Sequence, residues 1–179
     1  MNKLRLAPEG GPFVVSALVA AVISGFIGWT THQPPFQVLA LVCTLFAAFC
    51  FHFFRDPLRI PPKGDNIILS PADGKVVFVG KVEYDSDLNA PAQQISIFLS
   101  LFNVHVNRIP VKGTVKSVKY QKGRFLAAFK EEASKVNEQT SVVIQTTDHL
   151  VKVKQIAGIL ARRILCYLQN GEAVSLGDR

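Results

Sequence analysis

The hydrophobic residues of this chain follow two different patterns that meet near residue 55. Residues 13–29 and 36–54 contain no Asp, Glu, Lys or Arg and are almost wholly apolar, and the turn TTHQPP separates them. Each run approaches the roughly 20 residues that an α-helix needs to cross about 30 Å of hydrocarbon. The pattern therefore predicts two apolar helices joined by a short turn.

The basic residues around these runs indicate how the hairpin would lie in a membrane. Lys3 and Arg5 precede the first run, Arg55, Arg59 and Lys63 follow the second, and the linking turn has neither Lys nor Arg. The positive-inside rule then puts both ends in the cytoplasm. Two buried core helices are one alternative. A cleavable signal peptide is another, but the first run is long, lacks a small-residue cleavage site and is followed at once by a second apolar run.

From residue 67 onward, short runs rich in β-branched residues alternate with glycine-containing turns, which is typical of strands. Residues 125–136 fit either a short helix or a loop, and the end of the chain (NGEAVSLGDR) resembles a hairpin in a small lipoyl-carrier-like sandwich. The predicted fold is mainly β, a small β-sandwich or barrel-sandwich-like domain over residues 63–179, preceded by a transmembrane hairpin and linker over residues 1–62. The predicted strands are residues 67–69, 75–84, 94–102, 113–120, 141–147, 151–156 and 159–168.

The composition limits the kinds of molecule that this chain is expected to bind. The 179 residues carry a formal net charge of +7 and are 49% hydrophobic. A basic domain beside membrane segments is expected to meet anionic lipid rather than nucleic acid, and no nucleic-acid-binding motif is present. The three cysteines form no CxxC pair, which argues against a disulfide framework. We expect no metal site.

One strand-like run carries the most chemistry. In LFNVHVNRIP (residues 101–110) a period of two puts Asn103, His105 and Asn107 on one face, while Arg108 faces the other way. A histidine between two carboxamides lines a polar site or is a hydrogen-bonded histidine of a sheet, and both alternatives stay open.

Three further residues are candidates. Asp73 lies in the turn SPADGKV, where Asp and Gly are also ordinary turn formers. Arg162 and Arg163 either bind a phosphate through their forked donors or form a solvated basic surface.

The motifs FFRDPLR, SPADGKVV, FNVHVNRIP, QIAGILARRI and NGEAVSLGDR together resemble, in order and spacing, the short prokaryotic form of phosphatidylserine decarboxylase. Members of that family are made as a proenzyme that cuts itself at a Gly-Ser bond. The serine becomes a pyruvoyl group on a small α chain, and the larger β chain stays bound to it. The resemblance thus implies a lipid-metabolising enzyme made of two chains.

The resemblance also implies roles for residues. Asp73 matches the Asp of self-processing, and His105 matches the His of decarboxylation. The pyruvoyl group would serve as an electron sink when CO₂ leaves, as pyridoxal phosphate does, while His105 would handle protons near neutral pH. Arg108, Arg162 and Arg163 are candidates for binding the substrate.

The sequence differs from the family pattern in two ways that affect what we expect of its self-processing. Arg108 stands where long-form members have a second His, although the short branch shares HVNR. No Gly-Ser pair occurs in the 179 residues, so the pyruvoyl serine is expected beyond Arg179 and this chain is expected to be a β chain, inert without its α chain.

The sequence therefore supports two hypotheses. In the first, the chain is the β subunit of a phosphatidylserine decarboxylase that acts on phosphatidylserine, or on an ether-lipid analogue, at the cytoplasmic face of the cell membrane. Assembly into a homo-oligomer stays open. In the second, it is a non-catalytic, membrane-tethered adaptor or scaffold.

Overall fold

The computed structural model describes residues 4–64, 67–127 and 132–179, which group into two compact units. The first, here called the hairpin unit, comprises Met1–Arg59 together with Leu99–Val106. The second, here called the β unit, comprises Ile60–Phe98 and Asn107–Arg179. The segment Leu99–Val106, here called the His loop, therefore belongs with the helices although strands flank it in the sequence.

Two long helices dominate the hairpin unit. A 3₁₀ turn at Pro8–Gly10 leads into α1 (Gly11–Thr31), and α2 covers Pro34–Phe53. Both begin with proline in the first turn, where the missing N–H removes no helical hydrogen bond. Both are long and apolar enough to cross a membrane, by length and composition. The predicted hairpin is confirmed.

Small residues allow the two helices to pack closely. The buried positions of α1 recur every three or four residues, as expected for one helix face, and are Ala17, Ala21, Ser24 and Gly28. A Cβ at Gly28 would lie 2.9 Å from Cγ of Gln37 on α2. Large apolar side chains point outward instead, so each helix presents an apolar outer surface.

A short two-stranded sheet closes the open end of the hairpin. The strand β1 (Leu4–Leu6) pairs antiparallel with β2 (Arg55–Pro57), with Leu6 opposite Arg55. The Phe13 and Phe54 rings stack with centroids 5.6 Å apart. The end of α2 and the residues after it are thus held in a defined conformation.

Among its described residues, the β unit contains two antiparallel sheets. The strands β3 (Lys75–Asp85) and β4 (Ala90–Phe98) form a two-stranded ribbon. The other sheet has four strands in the order β7-β6-β5-β8 and contains β5 (Gly113–Gln121), β6 (Gln139–Gln145), β7 (Leu150–Ile156) and β8 (Ala173–Val174). Buried side chains of this sheet and of the segment before β5 form the core and are Ile109, Val111, Val115, Val142, Ile144 and Val174. The predicted mainly β fold is confirmed.

Two predicted strands and the strand alternation expected for LFNVHVNRIP are wrong. Residues 67–69, 101–110 and 159–168 are irregular. In the second of these, the Asn103 side chain accepts hydrogen bonds from Ser100 and closes a turn, as Asn does when it competes with regular structure. In the third, Gly158 donates to the Ala161 carbonyl, which bends the chain. For residues 125–136 the sequence left a short helix or a loop open, and the structure has a short helix α3 at Ala133–Val136. Residues 128–131 lie outside the described part.

Candidate active site

The His loop is shaped by a turn at Asn103. Asn103 Oδ1 accepts hydrogen bonds from the Ser100 backbone N–H and from Ser100 Oγ, both at 2.8 Å. The Asn103 N–H donates to the Ser100 carbonyl at 3.0 Å, and Val104 is buried. These contacts replace the predicted strand alternation and fix the backbone on which His105 sits.

The imidazole of His105 makes two defined contacts. Its ring stacks on the Phe53 ring, with centroids 4.1 Å apart and planes 25° from parallel. Nδ1 lies 3.0 Å from the Asn103 carbonyl oxygen. A carbonyl only accepts, so Nδ1 carries the proton and Nε2 of the neutral ring is the acceptor.

The surroundings of His105 favour its neutral form. Partial burial lowers the pKa of His105 below its ordinary value, the hydrogen bond to Asn103 raises it, and the positive charge of Arg55 lowers it further. The net direction is downward, so the ring is neutral at physiological pH. A neutral imidazole with a defined tautomer is suited to accept a proton at Nε2.

Arg55 joins the end of α2 to the His loop. Its Nη1 donates to the His52 carbonyl and its Nη2 donates to the Phe102 carbonyl, both at 2.7 Å. The His52 and Phe102 rings also meet edge to face, with centroids 6.5 Å apart. Sequence reasoning placed Arg55 among the basic residues at a membrane boundary and missed this link.

Asp73 lies in a tight turn at the start of β3. Ser70 Oγ donates to the Ala72 carbonyl at 2.7 Å, and Asp73 itself is half-buried. Gly74 follows with φ +149°, and a Cβ there would clash with the Phe98 carbonyl oxygen. Only glycine suits this position, so the turn that presents Asp73 is specified by its sequence.

The segment after the His loop lies directly beside this turn. The Arg108 N–H donates to the Pro71 carbonyl at 2.8 Å, and the Leu69 N–H donates to the Pro110 carbonyl at 2.9 Å. The backbone of Arg108 is thus bonded to Pro71, which precedes Asp73 by two residues in this turn.

The end of the described chain pairs with the same segment. The Ile109 N–H donates to the Asp178 carbonyl at 2.7 Å, and the Gly177 N–H donates to the Ile109 carbonyl at 2.9 Å. A turn closed by Asp178 Oδ2, which accepts from the Ser175 N–H at 2.8 Å, precedes this pairing. Residues 69–71, 108–110 and 175–178 therefore lie side by side.

The two downstream arginines lie on a separate irregular loop of the β unit. Arg162 Nε donates to the Ile159 carbonyl at 2.8 Å, and its guanidinium lies over the Phe125 ring, 5.6 Å from the centroid. Both Arg162 and Arg163 are exposed. Arg162 therefore helps to hold its own loop, in addition to any role toward a ligand.

These features define a class of protein. A β-rich unit follows a helical hairpin suited by length and composition to membrane association, and a neutral histidine of fixed tautomer lies next to the end of that hairpin. This combination is typical of a membrane-associated protein, with a histidine that is able to accept a proton.

Comparison with known proteins identifies the family. The phosphatidylserine decarboxylase family model matches residues 46–179. A phosphatidylserine decarboxylase proenzyme of Ehrlichia canis (strain Jake) is 40% identical over 173 residues, which is 96% of this chain and 73% of that protein. Proteins of the same name from Syntrophus aciditrophicus (strain SB) and Geobacter sp. (strain M21) are 38% and 41% identical, over 97% of this chain and 79% of each relative. The chain belongs to the phosphatidylserine decarboxylase family, whose members are carboxy-lyases, and the resemblance predicted from the motifs is confirmed.

Proposed function

We propose that this chain is the β subunit of a pyruvoyl-dependent phosphatidylserine decarboxylase, which converts phosphatidylserine to phosphatidylethanolamine and CO₂ in phospholipid biosynthesis. Family membership supports the reaction. The observation that carries the proposal is His105, neutral, stacked on Phe53 and fixed as the Nδ1–H tautomer. The relatives are named proenzymes, so the partner is an α chain cut from the same precursor.

His105 moves the proton in this proposal. Nε2 takes a proton from the substrate ammonium group, and the resulting imidazolium returns one to the carbon that loses CO₂. The hydrogen bond from Nδ1 to the Asn103 carbonyl keeps Nε2 available for both steps. The residues fit a pyruvoyl group because decarboxylation needs a proton carrier as well as an electron sink, and a neutral imidazole can carry the proton. The pyruvoyl group, when present on the α chain, supplies the electron sink.

Asp73 is proposed to act in self-processing. Residues 175–178 are hydrogen-bonded to Ile109, whose neighbour Arg108 is hydrogen-bonded to Pro71 in the Asp73 turn. Through these contacts, residues 175–178 lie next to the segment that meets the Asp73 turn, which supports this role for Asp73.

The apolar hairpin is proposed to hold the enzyme in the cell membrane with the β unit on the cytoplasmic face. Lys and Arg flank both ends of the hairpin, and the turn between the helices contains neither. The diacyl substrate resides in that membrane. Arg162 and Arg163, both exposed, are proposed to bind its phosphate, and Arg108 to bind the substrate as well.

The test uses the full precursor in detergent micelles and phosphatidylserine labelled in the serine carboxylate. His105→Ala is expected to leave cleavage into two chains visible on a gel and to abolish release of labelled CO₂. His149→Ala, which changes an exposed histidine in a turn, is the matched control and should retain activity. Normal turnover by His105→Ala would contradict the assigned role, and a wild-type precursor that releases no CO₂ would favour the adaptor hypothesis.

Self-processing is tested separately on the same precursor. Asp73→Ala is expected to accumulate the uncut chain, whereas Asp148→Ala, at an exposed turn position, should be cut normally. Complete cleavage of Asp73→Ala would move the processing role to another residue.

A further inference from the structure

The His loop is held by residues from the end of the apolar hairpin. Phe53 is the last residue of α2, and Arg55 follows two residues later at the start of β2. Both residues contact the segment that carries His105. We propose that Phe53 and Arg55 are positioning residues for His105, so that the hairpin forms part of the active-site machinery as well as the membrane anchor. The catalytic meaning of this arrangement rests on the proposed function.

Phe53 restricts the orientation of the imidazole. The stacked arrangement, with centroids 4.1 Å apart, covers one face of the ring with an apolar surface. The hydrogen bond from Nδ1 to the Asn103 carbonyl restricts rotation within the ring plane. Two constraints of different kind thus define where Nε2 points, and proton transfer depends on that direction.

Arg55 restricts the position of the loop backbone. Its planar guanidinium donates to carbonyls on two different segments, His52 at the end of α2 and Phe102 in the His loop. Lysine has a single ammonium group on a flexible stem and lacks the rigid fork that reaches both. The last carbonyls of a helix favour a cation, so the same contact also stabilises the end of α2.

The division of the chain into units supports this role independently. The His loop leaves the β unit after Phe98 and re-enters it at Asn107, yet it packs with the helices. This grouping, together with the contacts that Phe53 and Arg55 make, ties the loop to the end of α2. A change at the end of α2 should then be transmitted to His105 without unfolding the β unit.

The first experiment varies Phe53 in the full αβ enzyme in detergent, with a short-chain phosphatidylserine as substrate. Phe53→Leu removes the aromatic face, Phe53→Tyr retains it, and Phe51→Leu, at an exposed position of the same helix, is the matched control. We expect Phe53→Leu to lower kcat by about tenfold or more with little change in KM. Phe53→Tyr should restore most of the rate, and Phe51→Leu should leave it unchanged.

The second experiment separates two properties of Arg55, the paired hydrogen bonds of its forked guanidinium and its positive charge. Arg55→Lys retains the charge but not the fork, so kcat should fall while the acid limb of the kcat/KM profile stays in place. Arg55→Gln loses both, so kcat should fall and the acid limb should move to higher pH, because Arg55 is the charged group that lowers the pKa of His105. Arg59→Gln, a basic residue after the same helix, is the control.

Two substrate-free measurements keep this inference distinct from the proposed function. The NMR titration of His105, and the rate at which diethyl pyrocarbonate modifies it, are recorded for each variant. Phe53→Leu should raise the pKa of His105 toward its ordinary value, because it reduces the burial of the ring, and should speed the modification. If wild type releases no CO₂, the proposed function fails while these values still test the positioning. Unchanged titration, modification and kcat in Phe53→Leu and Arg55→Gln would overturn the inference.

Discussion

An ion cluster attaches the turn of the β3–β4 ribbon to the four-stranded sheet, and its central lysine provides a sharp test of the β unit. Lys152 Nζ, from β7, lies 2.8 Å from Asp85 Oδ2 and 2.6 Å from Asp87 Oδ2. Lys119, from β5, pairs with the other oxygen of Asp87. The side chain of Lys152 is only 16% exposed, whereas that of Lys119 is 62% exposed.

The difference in exposure sets the expected magnitudes. Removing one partner of a buried ion pair costs about 3–5 kcal/mol because a charge is left without compensation. Lys152 keeps some access to water, and Asp87 keeps Lys119, so we expect Lys152→Met to lower the free energy of unfolding by about 2–4 kcal/mol. An exposed pair contributes about 0–1 kcal/mol, which is the loss expected for Lys119→Met.

The assay is thermal unfolding of the full precursor in detergent, followed by circular dichroism in the β region. For a chain of this size, the loss at Lys152 corresponds to a melting temperature lower by on the order of 5–15 °C. Lys119→Met should shift it by a few degrees at most. Equal shifts for the two variants would refute the reasoning, because burial would then not decide the contribution of each lysine.

Three further predictions concern the pH dependence of stability, the buried Asn137 and the turn that carries Asp73. Burial alone would raise the pKa of Asp85, but the Lys152 hydrogen bond and two backbone N–H groups lower it overall, and hydrogen bonds from Lys119 and Lys152 lower that of Asp87. Their contribution to stability is therefore present above the unfolded-state pKa of about 3.9 and is lost as pH falls through the folded values. Melting temperatures measured downward from pH 6 should fall below pH 4 in wild type and less steeply in Lys152→Met, and parallel curves would contradict the linkage. Asn137 is fully buried and bonds the Leu126 N–H, the Leu126 carbonyl and the Ala157 carbonyl, so Asn137→Ala should cost about 3 kcal/mol in chemical unfolding. The exposed variant Asn170→Ala should cost less than about 1 kcal/mol, and similar values for the two would contradict this. Gly74→Ala should slow precursor cleavage on a gel, because φ +149° and the Phe98 carbonyl exclude a side chain there, and cleavage at the wild-type rate would show that the turn tolerates distortion.

The hairpin and the longer strands were predictable because each depends on a repeating local pattern. An uncharged run of helix-spanning length with basic flanks has few alternative structures, and the ends of α1 and α2 differ from those of the predicted runs by only one or two residues. The strand β5 begins at Gly113, as predicted, where a Cβ would clash with the Gln145 carbonyl oxygen of the neighbouring strand. The glycine at the head of this run therefore marked the start of the strand correctly.

The surroundings of His105 were not predictable in the same way. Residues 101–110 satisfy a period of two, but one side-chain oxygen of Asn103 closes a turn and breaks the strand. Phe53 is one apolar residue among many in a membrane run, so no local signal distinguishes the ring that stacks on His105. Long-range contacts of this kind depend on tertiary packing, which periodicity does not encode.

The separation of candidate residues between the units has a consequence for how such an enzyme tolerates change. Asp73, proposed for processing, is presented by the β unit, whereas His105, proposed for decarboxylation, is held by the end of α2. Side-chain changes near Phe53 should thus alter turnover while leaving cleavage of the precursor intact, and changes in the turn at Gly74 should do the reverse. Separable effects of this kind would show that turnover and precursor cleavage depend on different supporting residues, and they distinguish an integrated anchor from a tether that only raises the local concentration of lipid.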